Sequence, residues 1–86
     1  MNIPTGTVCG EICVFGNVDA PDFPAWILRH ASKLGLCDVQ TKLRGGYLSI
    51  SAFGHEEMLN ALALGCSLGP ASIHVDRIEF TTSKSD

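Results

Sequence analysis

The side chains best placed to do chemistry lie between Gly16 and Trp26, in the run Gly-Asn-Val-Asp-Ala-Pro-Asp-Phe-Pro-Ala-Trp. This segment joins a strand-like run to a helix-like run. A loop that opens a helix offers an anion unpaired backbone N–H groups and the positive end of the helix dipole. Here the loop's own residues oppose that chemistry: Asp19 and Asp22 repel an anion, and Pro21 and Pro24 each remove a backbone donor. The cations nearest in the expected fold are Lys42 and Arg44, on a hairpin facing the loop, and Arg29, one turn into the first helix. Two roles are open to Lys42. It supplies the missing positive charge with Arg44, or it forms a surface ion pair with Asp19 or Asp22.

The remaining reactive side chains converge less. His30, His55 and His74 have no spacing that would bring metal ligands together, so His30 and His74 read as core or sheet-face residues and His55 as a helix-terminus residue. Cys9, Cys13, Cys37 and Cys66 contain no Cys-x-x-Cys pair and read as reduced, buried thiols, with only Cys37 near a loop. On one strand Cys9 and Cys13 would stand about 13 Å apart, too far for a disulfide. Neither a metal nor a cofactor is expected.

The elements that must position these residues follow from periodicity. Thr7 to Gly16 alternates, with Val8, Gly10, Ile12 and Val14 on one face, as a central strand would. Phe23, Trp26, Ile27, His30, Ala31 and Leu34 then recur at helical spacing, with Asp22 as the expected N-cap, Pro24 in the first turn and Gly35 as the stop. A weaker strand, Cys37 to Leu43, turns at Arg44-Gly45-Gly46 into the alternating run Tyr47 to Phe53, which Gly54 ends. His55, Glu56 and Glu57 lead into a second helix, Met58 to Leu68, broken by Gly69-Pro70. Ser72 to Thr82 closes the pattern as a strand with Ile73, Val75, Arg77 and Glu79 on one face and His74, Asp76, Ile78 and Phe80 on the other. The order β-α-β-β-α-β predicts an α+β split βαβ arrangement: an antiparallel sheet, two helices on one face, and strands one and three side by side in the centre.

Composition bounds what such a domain does. The 86 residues fit one domain over 1–86, with 1–6 and 82–86 expected to fray. A net charge of −3, with only six Lys and Arg, argues against nucleic acid. Neither a secretory signal nor an apolar run of membrane-spanning length is apparent, so a cytoplasmic location is the expectation. The second helix has no charge between Met58 and Leu68. Leu59, Leu62, Ala63 and Cys66 form its core face, which leaves Ala61, Leu64, Gly65 and Leu68 where a solvent face should be polar. That strip predicts a surface for a homodimer or another protein partner, with Ala61 and Gly65 allowing close helix approach, or else a mildly greasy monomer surface or one covered by the C-terminal tail.

Gly16, Val18, Phe23, Trp26, Arg29, Ala31, Leu34, Gly35 and Leu36 stand in the places of a motif Gly-x-Val-Gln-Gly-Val-x-Phe-Arg followed by an aromatic residue and Arg-x-Ala-x-x-Leu-Gly-Leu. Gly54 to Glu57, Leu62, Gly69-Pro70 and Val75 to Glu79 continue the match, without a gap from about Val8 to Phe80. The chain thereby resembles the acylphosphatases, small enzymes that hydrolyse carboxyl-phosphate bonds. The resemblance implies an open-faced α/β sandwich of ferredoxin-like βαββαβ order. It also implies that Asp19, Ala20, Pro21, Asp22 and Phe23 occupy the phosphate cradle, that Pro24 replaces the family's catalytic Arg, and that Lys42 replaces its water-positioning Asn. The expectation is a domain that has lost the hydrolase chemistry and acts as a binding or interaction module, with phosphate-containing ligands disfavoured. Two alternatives stand beside it: an active acylphosphatase using Lys42, Arg44, Arg29 and loop N–H groups, and a site for a cationic or neutral metabolite at Asp19 and Asp22.

Overall fold

The computed structural model describes residues 7–84. Six elements follow in order: β1 (Thr7–Asn17), α1 (Phe23–Lys33), β2 (Cys37–Arg44), β3 (Tyr47–His55), α2 (Glu56–Leu68) and β4 (His74–Lys84). The strands form one sheet in the order β2-β3-β1-β4, antiparallel at every pairing, with β1 and β3 central as expected. Gly10, Ile12 and Val14 of β1 and Leu48, Ile50 and Ala52 of β3 are buried under the helices, which contribute Phe23, Ile27 and Ala31 from α1 and Leu59, Leu62 and Cys66 from α2. Among the described residues no element covers the opposite sheet face. The alternation seen in the sequence is thus a real division between core and open face.

α1 ends where its sequence says it should. Gly35, at φ +75°, donates to the Ser32 carbonyl, and Leu36 donates to the Ala31 carbonyl, a Schellman closure. Leu36 is thereby turned into the core, where it packs over Gly54; a β-carbon at Gly54 would collide with Leu36 Cδ2. Gly54 therefore does not end β3. The strand runs on to His55, pairs Gly54 with Val8, and passes into α2 without a loop.

Four other expectations change. Asp22 sits at the N-cap position, but its backbone is helical (φ −84°, ψ −9°) and its side chain caps nothing. The Phe23 N–H is instead satisfied by the Ala20 carbonyl at 3.1 Å. β4 begins at His74 and is paired to Lys84, so residues 82–84 are held against β1 rather than frayed; 1–6 and 85–86 lie outside the described residues. A bulge at Asp76, between the pairs Gly16–Val75 and Phe15–Arg77, shifts the strand's alternation. Val75, Ile78 and Phe80 therefore all reach the core, and Arg77 and Glu79 stand exposed. Finally, Cys66 alone of the four cysteines is fully buried; Cys9 and Cys13 are half-buried and Cys37 is exposed.

Candidate functional site

Gly16 is the hinge of the candidate site. Its φ of +140° is one that L side chains rarely adopt, and a β-carbon there would collide with the His74 carbonyl oxygen and stand 2.9 Å from the Asp76 nitrogen. The bulge on β4 thus requires a glycine at this position, whatever the loop binds. Gly16 N–H also donates to the Gly46 carbonyl at 3.3 Å, which ties the start of the loop to the β2–β3 turn. Val18, 3% exposed, pins the next turn of chain into the core.

Between these two segments lies a hollow of about 310 Å³, lined by Gly16 to Asp19 on one side and Leu43 to Tyr47 on the other. Asp19 and Arg44 are its charged residues. Asp22 is not among them, because both its carboxylate oxygens accept from the Ser72 hydroxyl, at 2.9 and 3.1 Å. Of the two loop carboxylates, only Asp19 lines the hollow. Ala20 and Pro24 are half-buried, Pro21 is exposed, and Phe23 is wholly within the core. Pro24, in the first turn of α1, presents neither charge nor N–H at the helix start.

The hairpin cations divide as well. Lys42 and Arg44, two apart on β2, share the open face. Lys42 lines a second hollow of about 250 Å³ with Glu11, Gln40, Ser49 and Ser51, and Arg44 borders both hollows. Lys42 pairs with neither Asp19 nor Asp22: among the described residues the Lys or Arg ion pair is Arg77–Glu79 at 3.3 Å, and His74 Nε2 lies 3.2 Å from an Asp76 carboxylate oxygen. Arg29 is exposed on α1 and lines neither hollow.

A row of side chains across the open face escaped the sequence reading. Register places Arg44, Tyr47, Phe15 and Arg77 side by side on the four strands. The Phe15 and Tyr47 rings stack at 4.9 Å, and the Arg77 guanidinium lies 4.3 Å from the Phe15 centroid. Phe15 and Tyr47 were visible as outward positions of alternating strands. Their meeting depends on strand pairing, which alternation alone does not give.

The other candidates have structural roles. His30 stacks on Trp26 at 3.9 Å and its Nδ1 lies 3.0 Å from the Trp26 carbonyl oxygen; His55 precedes α2; His74 is on β4. Burial pushes the Cys66 thiol up to about 12. Partial burial, with Glu11 and Glu79 nearby, raises that of Cys13, which disfavours a nucleophilic thiolate. On α2, Ala61, Leu64 and Leu68 are exposed, but Gly65 is half-buried and faces the Trp26 ring, so it belongs to the contact between the two helices rather than to an outer strip. No helix among the described residues is long and apolar enough to cross a membrane.

The family model described as Acylphosphatase matches residues 10–86. The crystal structure of acylphosphatase from Bacillus subtilis is similar with a TM-score of 0.82 and 28% identity, over 91% of this chain and 87% of that one. The acylphosphatase from Coxiella burnetii is similar in fold at 20% identity and a TM-score of 0.81, over 94% and 86% of the two chains. Full-length HypF in its phosphate- and nucleotide-bound form aligns at a TM-score of 0.82 and 20% identity, over 98% of this chain but 11% of that one.

Proposed function

The chain belongs to the acylphosphatase family, and from that premise we propose that it is a binding domain in which the hydrolytic chemistry has been lost. The observation that carries this reading is the first turn of α1. At the position of the family's phosphate-binding Arg stands Pro24, uncharged and without an N–H, and the hollow lined by the preceding loop receives the carboxylate of Asp19 from its loop side. Phosphoryl transfer depends almost wholly on positioned positive charge, so the exchange of a bidentate cation for proline removes the largest contribution to the reaction. Lys42 does not replace it, because its side chain belongs to the open-face hollow. Gly16, which would otherwise suggest a kept phosphate cradle, is accounted for by the close approach of β4. The interaction role draws support from Leu64 and Leu68, 68% and 82% exposed on a helix with no outward charge in its last three turns.

A second reading is favoured by one residue. Arg44 borders the loop hollow and could hold an anion against the N–H groups of Asn17 to Asp19. The experiment that separates the readings is titration of the protein with inorganic phosphate, followed by backbone amide shifts, together with an assay on an acyl phosphate. The binding-domain reading expects no shifts from Asp19 to Ala25 and hydrolysis at the uncatalysed rate. Saturable shifts in that loop, with hydrolysis that Arg44→Ala abolishes, would establish the enzyme instead.

A further inference from the structure

The two edges of the sheet are unequally protected. β2 has eight residues, a bulge between Cys37 and Gln40, Asp38 at φ +51°, and the exposed cations Lys42 and Arg44, devices that discourage another strand from adding to an edge. β4 has eleven residues, and past the bulge at Asp76 it runs from Arg77 to Ser83 without Gly, Pro or a register shift. Its two charges there, Arg77 and Glu79, already neutralise one another. On the core side, Phe80 is paired with Ile12 and Ile78 with Val14. Ile12 and Val14 are at most 1% exposed, but Ile78 and Phe80 remain partly exposed, so the apolar rows of the core stop incompletely covered at this edge.

We propose that the β4 edge is a self-association surface, on which a second copy of this chain adds its own β4 antiparallel about a two-fold axis at Phe80. Directly opposed residues of an antiparallel pair share a sheet face. Axes at Arg77 or Glu79 set like charges against each other, which is unfavourable. An axis at Ile78 drives most of the pairing into the bulge. An axis at Phe80 uses the whole regular run: Phe80 meets the second copy's Phe80, Ile78 meets Thr82, Glu79 meets Thr81, and Arg77 meets Ser83. The helices of both copies then lie on one face, and each Phe80 covers the row that the other leaves open. The surface rests on the strand edge alone, so it stands whether or not the loop binds phosphate.

The test is sedimentation equilibrium of the full chain from micromolar to millimolar concentration. Dimerisation is expected, weakened at least tenfold by Thr82→Lys, at an exposed position of β4, and by Phe80→Lys. Leu64→Glu is expected to leave it unchanged. In a Cys37→Ser background, which removes the exposed native thiol, mild oxidation of Phe80→Cys should give a disulfide-linked dimer that the background chain and Thr82→Cys do not. A monomer at millimolar concentration overturns the proposal. So does a dimer that Leu64→Glu dissociates and Thr82→Lys leaves intact, since that contact would run through α2.

Discussion

α1 and α2 lie side by side on one sheet face and each buries three side chains completely, Phe23, Ile27 and Ala31 against Leu59, Leu62 and Cys66. Their outer faces differ. α1 turns Ala25, Leu28, Arg29, Ser32 and Lys33 to solvent; beyond Glu56 and Glu57, α2 turns out Asn60, Ala61, Leu64, Ser67 and Leu68, with no charge among them. Their ends differ too, since α1 closes on the Gly35 Schellman bonds, whereas α2 starts directly from β3 and relies on Glu56 and Glu57 to complement its dipole. The contrast separates two uses of hydrophobicity. In α1 the core explains Phe23 and Ile27, Trp26 packs partly against it, and Leu28 is left 48% exposed beside two cations. In α2 the core explains Leu59 and Leu62 and leaves Leu64 and Leu68 without a structural task.

If the inner faces are equivalent, Ile27→Ala and Leu59→Ala should each cost about 2–5 kcal/mol in urea unfolding, the largest effects expected. Leu59 adds a constraint of its own, because a β-carbon on Gly10 would stand 2.8 Å from its methyl groups; Gly10→Val should therefore also destabilise. A cost below about 1 kcal/mol at either helix would break the equivalence. Cys66 offers a pH-resolved version of the same comparison. Its thiol ionises near 9.0 when unfolded and near 12 when buried in α2. Above pH 9 the unfolded chain releases this proton and the folded chain keeps it, so stability present below pH 9 is lost as pH rises toward 12, by up to about 1.4 kcal/mol per pH unit. Cys66→Ala should flatten that slope, measured as the urea midpoint against pH, and α1 has no counterpart to it.

The parts of this molecule legible in its sequence are those governed by local periodicity. The inward stripe of α1, the stop at Gly35, the Gly45-Gly46 turn and the core faces of β1 and β3 all follow from spacings within one element. What was misread depends on encounters between elements. The bulge at Asp76 leaves the composition of β4 unmarked and appears only when β4 is laid beside Gly16. Asp22 looked like a cap because the residue type suits one, but Ser72, fifty positions away, takes its carboxylate. At the candidate site the same rule applies. Lys42 and Arg44 could be placed on the hairpin from the turn signal, but the open-face position of Lys42, and its separation from the loop, follow from the pairing of β2 with β3.

The two smallest effects sharpen the difference between the sides of α2. A β-carbon at Gly65 would lie 3.7 Å from Trp26 Cη2, an ordinary contact, so Gly65→Ala should be accepted at the junction of the helices and stabilise by about 0.5–1 kcal/mol through helix propensity. A loss instead would mean that the helices need closer approach than the Trp26 contact implies. Leu64→Glu probes the outer side. The leucine is 68% exposed, glutamate forms helix nearly as well, and only a few tenths of a kcal/mol should be lost from placing an anion toward the negative end of the helix dipole. Thermal unfolding of this variant should therefore stay within about 0.5 kcal/mol of the parent. A larger loss would show that Leu64 is covered within the chain, and α2 would then spend its hydrophobicity on the fold as α1 does.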